Sequence, residues 1–401
     1  MPDFTSTLNW IDEQDVAMRS LVRELADINS GSENLEGLAK VAGRLTLELA
    51  KLPGTQRMLD THPRQVVDAR GNPIEQPLGK AIQVVRNPTI EGVPRALLCI
   101  HYDTVFGPEH PFQKCTLVEP NKLNGPGAVD AKGGIVVLLY ALLALERSPA
   151  AGKIMWEVLL VPDEEIGSPG SIHLLREAAH RNDVGLVFEP ALDTQGTLAG
   201  ARKGSGNFTL VVRGKSAHAG RNPQDGRNAI HAASEFIAAV SHQVEKLEGV
   251  TFNVGRIDGG GPVNVVPDVA VVRFNVRLGK KRDEEDLQEL LAKKVNSLNA
   301  RDGIRAELHG SVSSPPKALD EKAHDMLDLL VACGNELNLD IHWRDTGGVC
   351  DGNKLAAFGL PNIDTLGPRG GNLHSADEFI LLDSLTERAK LTALFLMKLA
   401  K

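Results

Sequence analysis

The segment ALLCIHYDTV, residues 96–105, is where the predicted fold and the predicted chemistry of this chain meet. Its first five residues form an uninterrupted apolar run, which is typical of a buried strand. His101 and Asp103 follow at once, and side chains two residues apart in an extended chain point to the same side. A carboxylate beside an imidazole orients the ring and strengthens it as a metal ligand. A solvated strand end is the simpler interpretation of this segment alone, so the rest of the chain must decide.

Composition limits the classes of protein to consider. A chain of 401 residues is too long for one hydrophobic core, so we expect two domains. The formal net charge of -8 argues against a nucleic-acid partner and against binding to an anionic membrane, because both require an excess of Lys and Arg. Aromatic residues make up only 4% of the chain, so no base-stacking platform is indicated.

The cysteines and the N-terminal sequence indicate the compartment. Cys99, Cys115, Cys333 and Cys350 form no C-x-x-C pair, which argues against zinc ribbons and redox dithiols, and two of them lie in apolar surroundings as expected of buried thiols. The first residues lack the basic and apolar regions of a secretion signal. We see no apolar run near the ~20 residues of a membrane span. These features predict a cytoplasmic protein.

Acidic residues follow other predicted strands. Asp130 lies in a glycine-rich loop before the apolar helix predicted for residues 135–145, where helix capping is an alternative role. Glu164 and Glu165 follow the strand predicted for residues 153–161. Acids at a strand end are costly without a positive charge nearby, unless the turn is simply solvated. Neighbouring side chains project differently, so the two glutamates can have separate duties.

Two more candidate ligands complete the set. Glu189 follows the strand predicted for residues 183–188, and His374 lies in the glycine-rich loop 370–379. Ligands of open α/β sheets bind outside the carboxyl ends of the strands. Imidazole and carboxylate ligands suit zinc, with cobalt or manganese as substitutes. Five ligands exceed the need of one catalytic zinc and fit two metal ions that share a carboxylate.

Five motifs together carry a family resemblance. They are H-x-D-T-V at 101–105, G-x-G-x-x-D-x-K-G-G at 125–134, D-E-E-x-G-S at 163–168, F-E-P at 188–190 and H-S-A-D-E-F at 374–379. In this order they resemble the co-catalytic zinc amidohydrolases and exopeptidases, a family that includes acetylornithine deacetylase, succinyl-diaminopimelate desuccinylase, aminoacylase and the glutamate carboxypeptidases. The resemblance is closest to the folate-cleaving glutamate carboxypeptidase branch.

The resemblance implies a role for each candidate ligand. It implies that Asp130 bridges two Zn²⁺ ions, that one ion is also bound by His101 and Glu189, and that the other is also bound by Glu165 and His374. A cis peptide bond after the bridging aspartate is also common in this family.

The catalytic roles are likewise implied by the resemblance. Asp103 would orient His101, and Glu164 would act as general base on a water molecule that bridges the metals. A carboxylate in that place collects the proton from the attacking water.

The middle of the chain has a different pattern. Residues 201–316 read as strand, helix, strand, strand, helix, strand, and this α+β pattern resembles the family's inserted, ferredoxin-like lid and dimerisation domain. The fold prediction is therefore an α/β, three-layer catalytic domain with a central mixed sheet, formed by residues 1–200 and 317–401 and interrupted by this insertion.

The resemblance also places residues outside the metal set. His218 would stabilise the oxyanion in the active site of the partner subunit of a homodimer, although in isolation a loop histidine bonded to backbone is the simpler interpretation. Asn264 and Arg277 match substrate-binding positions, and a surface arginine is the alternative for Arg277. Gly348 and Asp351 belong to a glycine-rich loop that resembles the family's substrate loop.

Three functions are compatible with these residues. The first is a two-metal hydrolase that cleaves the amide bond to a C-terminal amino acid of a small peptide or N-acyl substrate, as a glutamate carboxypeptidase does. The second is an N-acyl-amino-acid deacylase of the acetylornithine deacetylase or aminoacylase type. The third is a metal-binding scaffold without catalysis, against which Glu164 argues because a scaffold has no use for a general base.

Overall fold

The computed structural model describes residues 4–400. Ten helices occur in this part of the chain: α1 Thr5–Glu13, α2 Asp15–Ala26, α3 Leu35–Leu49, α4 Gly133–Leu145, α5 Ile172–Arg181, α6 Ala229–Val244, α7 Lys281–Asn299, α8 Glu321–Glu336, α9 Asp351–Ala357 and α10 Ser384–Leu399. The strands of the same part are β1 Gly54–Leu59, β2 Arg64–Val67, β3 Pro73–Gln76, β4 Ala81–Arg86, β5 Arg95–His101, β6 Thr116–Glu119, β7 Lys122–Asn124, β8 Met155–Val161, β9 Val184–Val187, β10 Leu198–Arg202, β11 Gly204–Arg213, β12 Thr251–Gly259, β13 Val269–Leu278, β14 Arg305–Ser314, β15 Trp343–Thr346, β16 Asn362–Ile363, β17 Gly370–Gly371 and β18 Phe379–Leu381.

A six-stranded mixed sheet forms the centre of the molecule, in the order β1-β4-β8-β5-β9-β16. Strand β5 pairs in parallel with β8 and β9, and β9 pairs in parallel with β16, whereas β4 pairs antiparallel with β1 and β8. Because β5, β8 and β9 run the same way, their carboxyl ends meet at one edge of the sheet. The predicted α/β class with a central mixed sheet is confirmed.

Helices cover both faces of this sheet. One face packs against α1, α2, α4 and α10 in the largest apolar core, and the other packs against α5 and α9. Every residue of α4 is buried. The stretch 128–145 is long and apolar enough to cross a membrane, contrary to our expectation that no run comes near that length, but all of it is buried inside the protein.

A second core belongs to the inserted unit. Its four-stranded antiparallel sheet has the order β12-β13-β11-β14, and α6 and α7 pack on one face. In chain order this is β-α-β-β-α-β with the strand order 4-1-3-2, the ferredoxin-like topology that was predicted. Where the chain enters and leaves this unit, the backbones of Arg202 and Lys317 exchange two hydrogen bonds of 2.9 and 3.0 Å.

The differences from the sequence-based expectations are local. Apolar residues at helical spacing predict one helix over residues 10–29, but the structure has two helices that meet at Gln14, where α1 ends and α2 begins. The hairpin β2–β3 was not anticipated, since its strands are short and mostly exposed. All four cysteines lie in the described part of the chain, where they are buried and form no disulfide bond.

Candidate metal centre

The segment after β5 forms the floor of the site. His101 is the last residue of β5 and is 1% exposed, and its Nδ1 lies 3.1 Å from the carbonyl oxygen and 3.3 Å from Oδ1 of Asp103. Asp103 is itself fixed, because it accepts hydrogen bonds from the Ser32 hydroxyl at 2.7 Å and from the backbone N–H groups of Glu164 and Glu165 at 3.2 and 3.3 Å. The carboxylate therefore aligns the imidazole and the turn after β8 together.

Asp130 lies between two histidines. Its Oδ1 is 3.2 Å from Nε2 of His101, and its Oδ2 is 3.3 Å from Nε2 of His374. Each histidine has a second carboxylate beside it: Glu189 lies 3.7 Å from His101, and Glu165 lies 3.2 Å from His374. The five predicted ligands thus come together as two groups that share Asp130.

Glu378, which belongs to the H-S-A-D-E-F motif and had no predicted role, holds the backbone around Asp130. Glu378 is 1% exposed and accepts hydrogen bonds from the N–H groups of Gly127, Val129 and Asp130 at 3.0–3.1 Å. Gly127 has a φ of 68°, which glycine adopts without strain. The Asp130–Ala131 peptide bond is cis, as the resemblance implies. Asp130 is not a helix cap, because α4 begins three residues later and its N-cap is Lys132.

Burial and mutual repulsion perturb the acids of this site. Burial, with the negative charge of Asp130, raises the pKa of Glu165 to about 7. Burial raises the pKa of Glu189, and burial together with Glu189 raises the pKa of Glu164 well above its usual range. Hydrogen bonds to Asp130 and Glu165 raise the pKa of His374 to about 11. So many acids in one buried cluster require positive charge to remain ionised.

This donor set fits divalent metal ions. Ligand atoms of His101, Asp130 and Glu165 all lie within 4.8 Å of one another. One oxygen of Glu189 is buried and has no hydrogen-bond partner among residues 4–400, so it is free to bind a cation. Imidazole nitrogens and carboxylate oxygens are ligands of zinc, and a carboxylate that presents one oxygen to each side suits a pair of ions.

Glu164 stands apart from the ligand pairs. No ion pair joins it to a histidine within the described chain, and its neighbours include the buried pair formed by Asp351 and Lys354, whose atoms are 2.8 Å apart. Asp351 also accepts a hydrogen bond from the Ser168 hydroxyl at 2.5 Å. Lys354 could not be identified from the sequence, because a lysine in a short helix is normally expected at the surface. Asp351 lies in the interior, and its role in substrate binding stays a prediction.

A second buried network supports the glycine-rich loop. Asp364 is fully buried and binds the guanidinium of Arg202 and the ammonium of Lys317, the latter at 2.7 Å. Arg202 also donates to the carbonyl of Gly348 at 3.1 Å, so the network fixes the loop as well as the entry to the inserted unit. Gly348 itself is exposed and free to approach a ligand.

The predicted residues of the inserted unit lie apart from the metal ligands. His218 is exposed, and its Nδ1 accepts hydrogen bonds from the N–H groups of Gly220 and Arg221, as expected of a loop histidine in a single subunit. The exposed Asn264 lies beside it, since the Asn264 carbonyl accepts from the N–H of Ala219. No hydrogen bond or ion pair connects His218 to the metal ligands in residues 4–400.

Arg277 occupies a strand of the inserted unit. It lies on β13, is partly exposed and has a buried nitrogen, Nη1, without a partner in the described structure. An unpaired guanidinium nitrogen is available to the carboxylate of a substrate. The substrate-binding role of Arg277 stays a prediction.

Known proteins are similar in sequence to this chain along most of its length. The model of the M20 peptidase dimerisation domain matches residues 200–303. Carboxypeptidase G2 of Pseudomonas sp. (strain RS-16) is 28% identical over 397 residues, which cover 97% of this chain and 90% of that protein. Succinyl-diaminopimelate desuccinylase of Pseudoalteromonas translucida is 30% identical over 302 residues, which cover 71% of this chain and 78% of that protein.

The fold also matches solved structures. An M20 family metallo-carboxypeptidase of Sulfolobus solfataricus superimposes with a TM-score of 0.73 at 18% identity, and the match covers 96% of this chain and 99% of that structure. At this identity the likeness concerns the fold, and it agrees with the architecture described above.

Proposed function

The chain belongs to the M20 family of metallopeptidases and amidohydrolases, and we propose that it is a two-zinc hydrolase that releases a C-terminal amino acid, such as glutamate, from a peptide or N-acyl conjugate. The observation that carries the proposal is Asp130, whose two oxygens face His101 and His374 while Glu189 and Glu165 complete the two groups. Cobalt and manganese suit the same ligands.

The metal ions and the protein side chains would contribute different parts of the chemistry. When two zinc ions are bound, they lower the pKa of a water molecule and polarise the scissile carbonyl. His101 keeps its ring orientation through Asp103, which in turn is held by Ser32. This chain of contacts pre-organises the ligand groups and limits the rearrangement that metal binding requires.

Glu164 is the proposed general base. Within residues 4–400 it has no ion pair of its own, and burial with the charge of Glu189 raises its pKa, which favours the uptake of a proton. In this role it takes a proton from the attacking water and passes it to the nitrogen of the leaving amine. The amide C–N bond breaks, and a carboxylic acid and a free amine result.

Deacylation of N-acyl amino acids is the second candidate. The relatives named succinyl-diaminopimelate desuccinylase favour it, because 30% identity to one of them is as high as the identity to carboxypeptidase G2. The proposed ligands and base serve both reactions equally. The two reactions differ only in the acyl group that the site must accommodate. A metal-binding scaffold remains the alternative outside the enzymes.

We also propose that the protein acts as a cytoplasmic homodimer. The match to a dimerisation domain at residues 200–303 supports the assembly. His218 and Asn264 lie on two neighbouring exposed loops, and no hydrogen bond or ion pair joins them to the metal ligands of their own subunit within residues 4–400, as required of residues that would act in the partner's site.

Amino-acid release from a substrate panel tests the proposal. Metal-stripped and zinc-restored protein would be offered N-acetyl amino acids, benzoyl-glutamate and short peptides, with zinc-loaded Glu164→Gln as control. We expect zinc-dependent release of the C-terminal residue and a loss of about 10²–10⁴-fold in Glu164→Gln, the usual value of a general base. Zinc-dependent turnover that Glu164→Gln leaves intact would refute the assigned base, and preference for simple acetyl substrates would favour the deacylase.

A further inference from the structure

A large cleft opens beside the candidate metal centre and extends away from it. Its volume is about 790 Å³, and Glu165 and Ile166 line it at the metal end. One wall is the hairpin β2–β3, residues 64–76, and the other is the face of the inserted sheet that carries no helix. Ligand sites commonly have volumes of about 300–1,000 Å³, so this cleft exceeds what an acetyl group needs.

The hairpin is fixed against the inserted sheet, so the cleft is a built feature. Arg273 on β13 donates to the carbonyl oxygens of Val67 and Asp68 at 2.8 and 3.0 Å. Val67 also packs in an apolar cluster with Val211 and Val271 of the sheet. These contacts hold the two walls of the cleft together, and the predicted metal ligand Glu165 also lines it.

The lining has polar and apolar surface in similar amounts, and its arginines have acidic partners. Asp258 binds both Arg256 and Arg273, and Arg64 lies 3.7 Å from Glu33. Asp258 is a single carboxylate for two guanidinium groups, and the carboxylates of Asp68 and Glu165 in the lining balance the remaining positive charge. A strongly anionic ligand finds little unpaired positive charge in this cleft.

Unused hydrogen-bonding groups lie side by side in the cleft. Asn207 and Asn275 face each other across β11 and β13, and Nδ2 of Asn275 donates to Oδ1 of Asn207 at 2.8 Å. This leaves Nδ2 of Asn207 as a donor and Oδ1 of Asn275 as an acceptor with no partner among residues 4–400. Oε1 of Gln76 and Nε2 of His309, on opposite walls, are buried and have no hydrogen-bond partner in the described structure, although Glu307 lies 3.8 Å from Nε2 of His309. Such groups are costly unless a ligand or water bonds to them.

We infer that this cleft binds the peptide chain on the N-terminal side of the scissile amide. A peptide group carries one donor and one acceptor, which match the free donor and acceptor of Asn207 and Asn275. An alkyl acyl group would leave these groups unpaired, and an acetyl group would not reach them. The inference rests on the proposed function and selects a peptidyl substrate over a small N-acyl one.

Filling the cleft tests the inference. Asn207 is exposed on β11, so Asn207→Trp places an indole in the cleft without touching a metal ligand. The matched control is Gln288→Trp, which replaces an exposed amide on α7, outside the cleft lining. The substrates are Ala-Ala-Glu, benzoyl-glutamate and N-acetyl-glutamate, each with the zinc-loaded enzyme.

The expected result is a selective loss. Wild-type protein should favour Ala-Ala-Glu in kcat/KM by about tenfold or more over N-acetyl-glutamate, and Asn207→Trp should abolish that preference, mainly through KM, because two lost hydrogen bonds have about this value. Hydrolysis of N-acetyl-glutamate should stay within about twofold, and Gln288→Trp should match the wild type. Equal effects on all three substrates, or no effect, would overturn the inference. A preference for benzoyl-glutamate would assign the cleft to aromatic acyl groups and also overturn it.

A binding measurement distinguishes failure of this inference from failure of the proposed function. If the wild type cleaves no amide, binding of Ala-Ala-Glu to the zinc-loaded protein is measured by calorimetry with and without Asn207→Trp. Binding that Asn207→Trp weakens by about tenfold or more would support the cleft even though the proposed hydrolysis had failed. Absent binding, or equal binding by both proteins, would refute the cleft as a peptide site.

Discussion

Replacing Glu378 by glutamine should weaken metal binding, although Glu378 is not one of the predicted metal ligands. Its carboxylate accepts three backbone hydrogen bonds, two at Oε1 from Val129 and Asp130 and one at Oε2 from Gly127. Glutamine can keep the two bonds at one oxygen, but its amide nitrogen must then face the N–H of Gly127 as donor against donor. The loop that carries Asp130 therefore loses one of these three hydrogen bonds and gains a contact between two donors.

The structure sets the expected size of the effect. Leaving a buried N–H group without an acceptor costs about 1–3 kcal/mol, so we expect Glu378→Gln to lower the free energy of unfolding by about that amount. Groups that orient metal ligands typically change metal affinity by about 10–100-fold, and we expect a loss in this range for zinc. Glu378→Ala should have a larger effect, because all three N–H groups lose their partner.

Competition with a chelating dye measures zinc affinity, and urea unfolding of the metal-free protein measures stability. The control is Asp377→Asn, which removes a charge from the exposed neighbour of Glu378 and should change neither quantity appreciably. Unchanged zinc affinity in Glu378→Gln, with normal folding, would refute the claim that this carboxylate positions Asp130. An equal loss in Asp377→Asn would show that net charge, and not the hydrogen bonds, is responsible.

Two further changes test the buried network and the support of His101. Burial raises the pKa of Asp364, but Arg202 and Lys317 outweigh it and lower the pKa from 3.8 to about 2, so the ionised form stabilises the fold above about pH 4 and this contribution is lost as the pH falls toward 2. Asp364→Asn should remove that pH dependence and lower the free energy of unfolding by about 3–5 kcal/mol at neutral pH. Urea unfolding at several pH values measures both effects. If the stability of Asp364→Asn still fell at acidic pH as in the wild type, the assignment would be contradicted. Ser32→Ala removes the 2.7 Å hydrogen bond to Asp103 and should lower zinc affinity severalfold and stability by about 1–3 kcal/mol, whereas wild-type zinc affinity would show that Asp103 holds His101 without it.

The sequence was sufficient to bring the candidate residues at the strand ends together, and the reason is geometric. The division of the ligands into two groups came from the family resemblance. His101 ends a buried parallel strand, so its place at the sheet edge follows from the apolar run before it. Glu164 and Glu165 follow β8 in the same way, and Glu189 follows β9. Parallel strands bring their carboxyl ends together, so acids at those ends meet without further information.

The supporting residues were less visible. Ser32 lies in a short loop that the sequence presents only as a helix end, and its contact with Asp103 spans 71 positions. Lys354 pairs with Asp351 inside the protein, although a lysine is normally expected at the surface. Such contacts depend on tertiary packing, which residue spacing does not encode.

The cleft could not be predicted for the same reason. Its two walls come from the hairpin at residues 64–76 and from a sheet that begins more than 120 residues later, at β11. The hairpin strands are short and exposed, so they lack the apolar alternation that identifies a strand. Arg273 joins the two walls through backbone carbonyls, which carry no sequence signal.

The central claim is that Asp130 is shared by two metal ions, and anomalous diffraction from zinc-loaded crystals tests it most directly. We predict two zinc peaks in each chain, one between Asp130, His101 and Glu189 and the other between Asp130, His374 and Glu165. Their separation should be about 3.5–4 Å, as in other two-metal sites. A single peak, or peaks that do not both contact Asp130, would contradict the account.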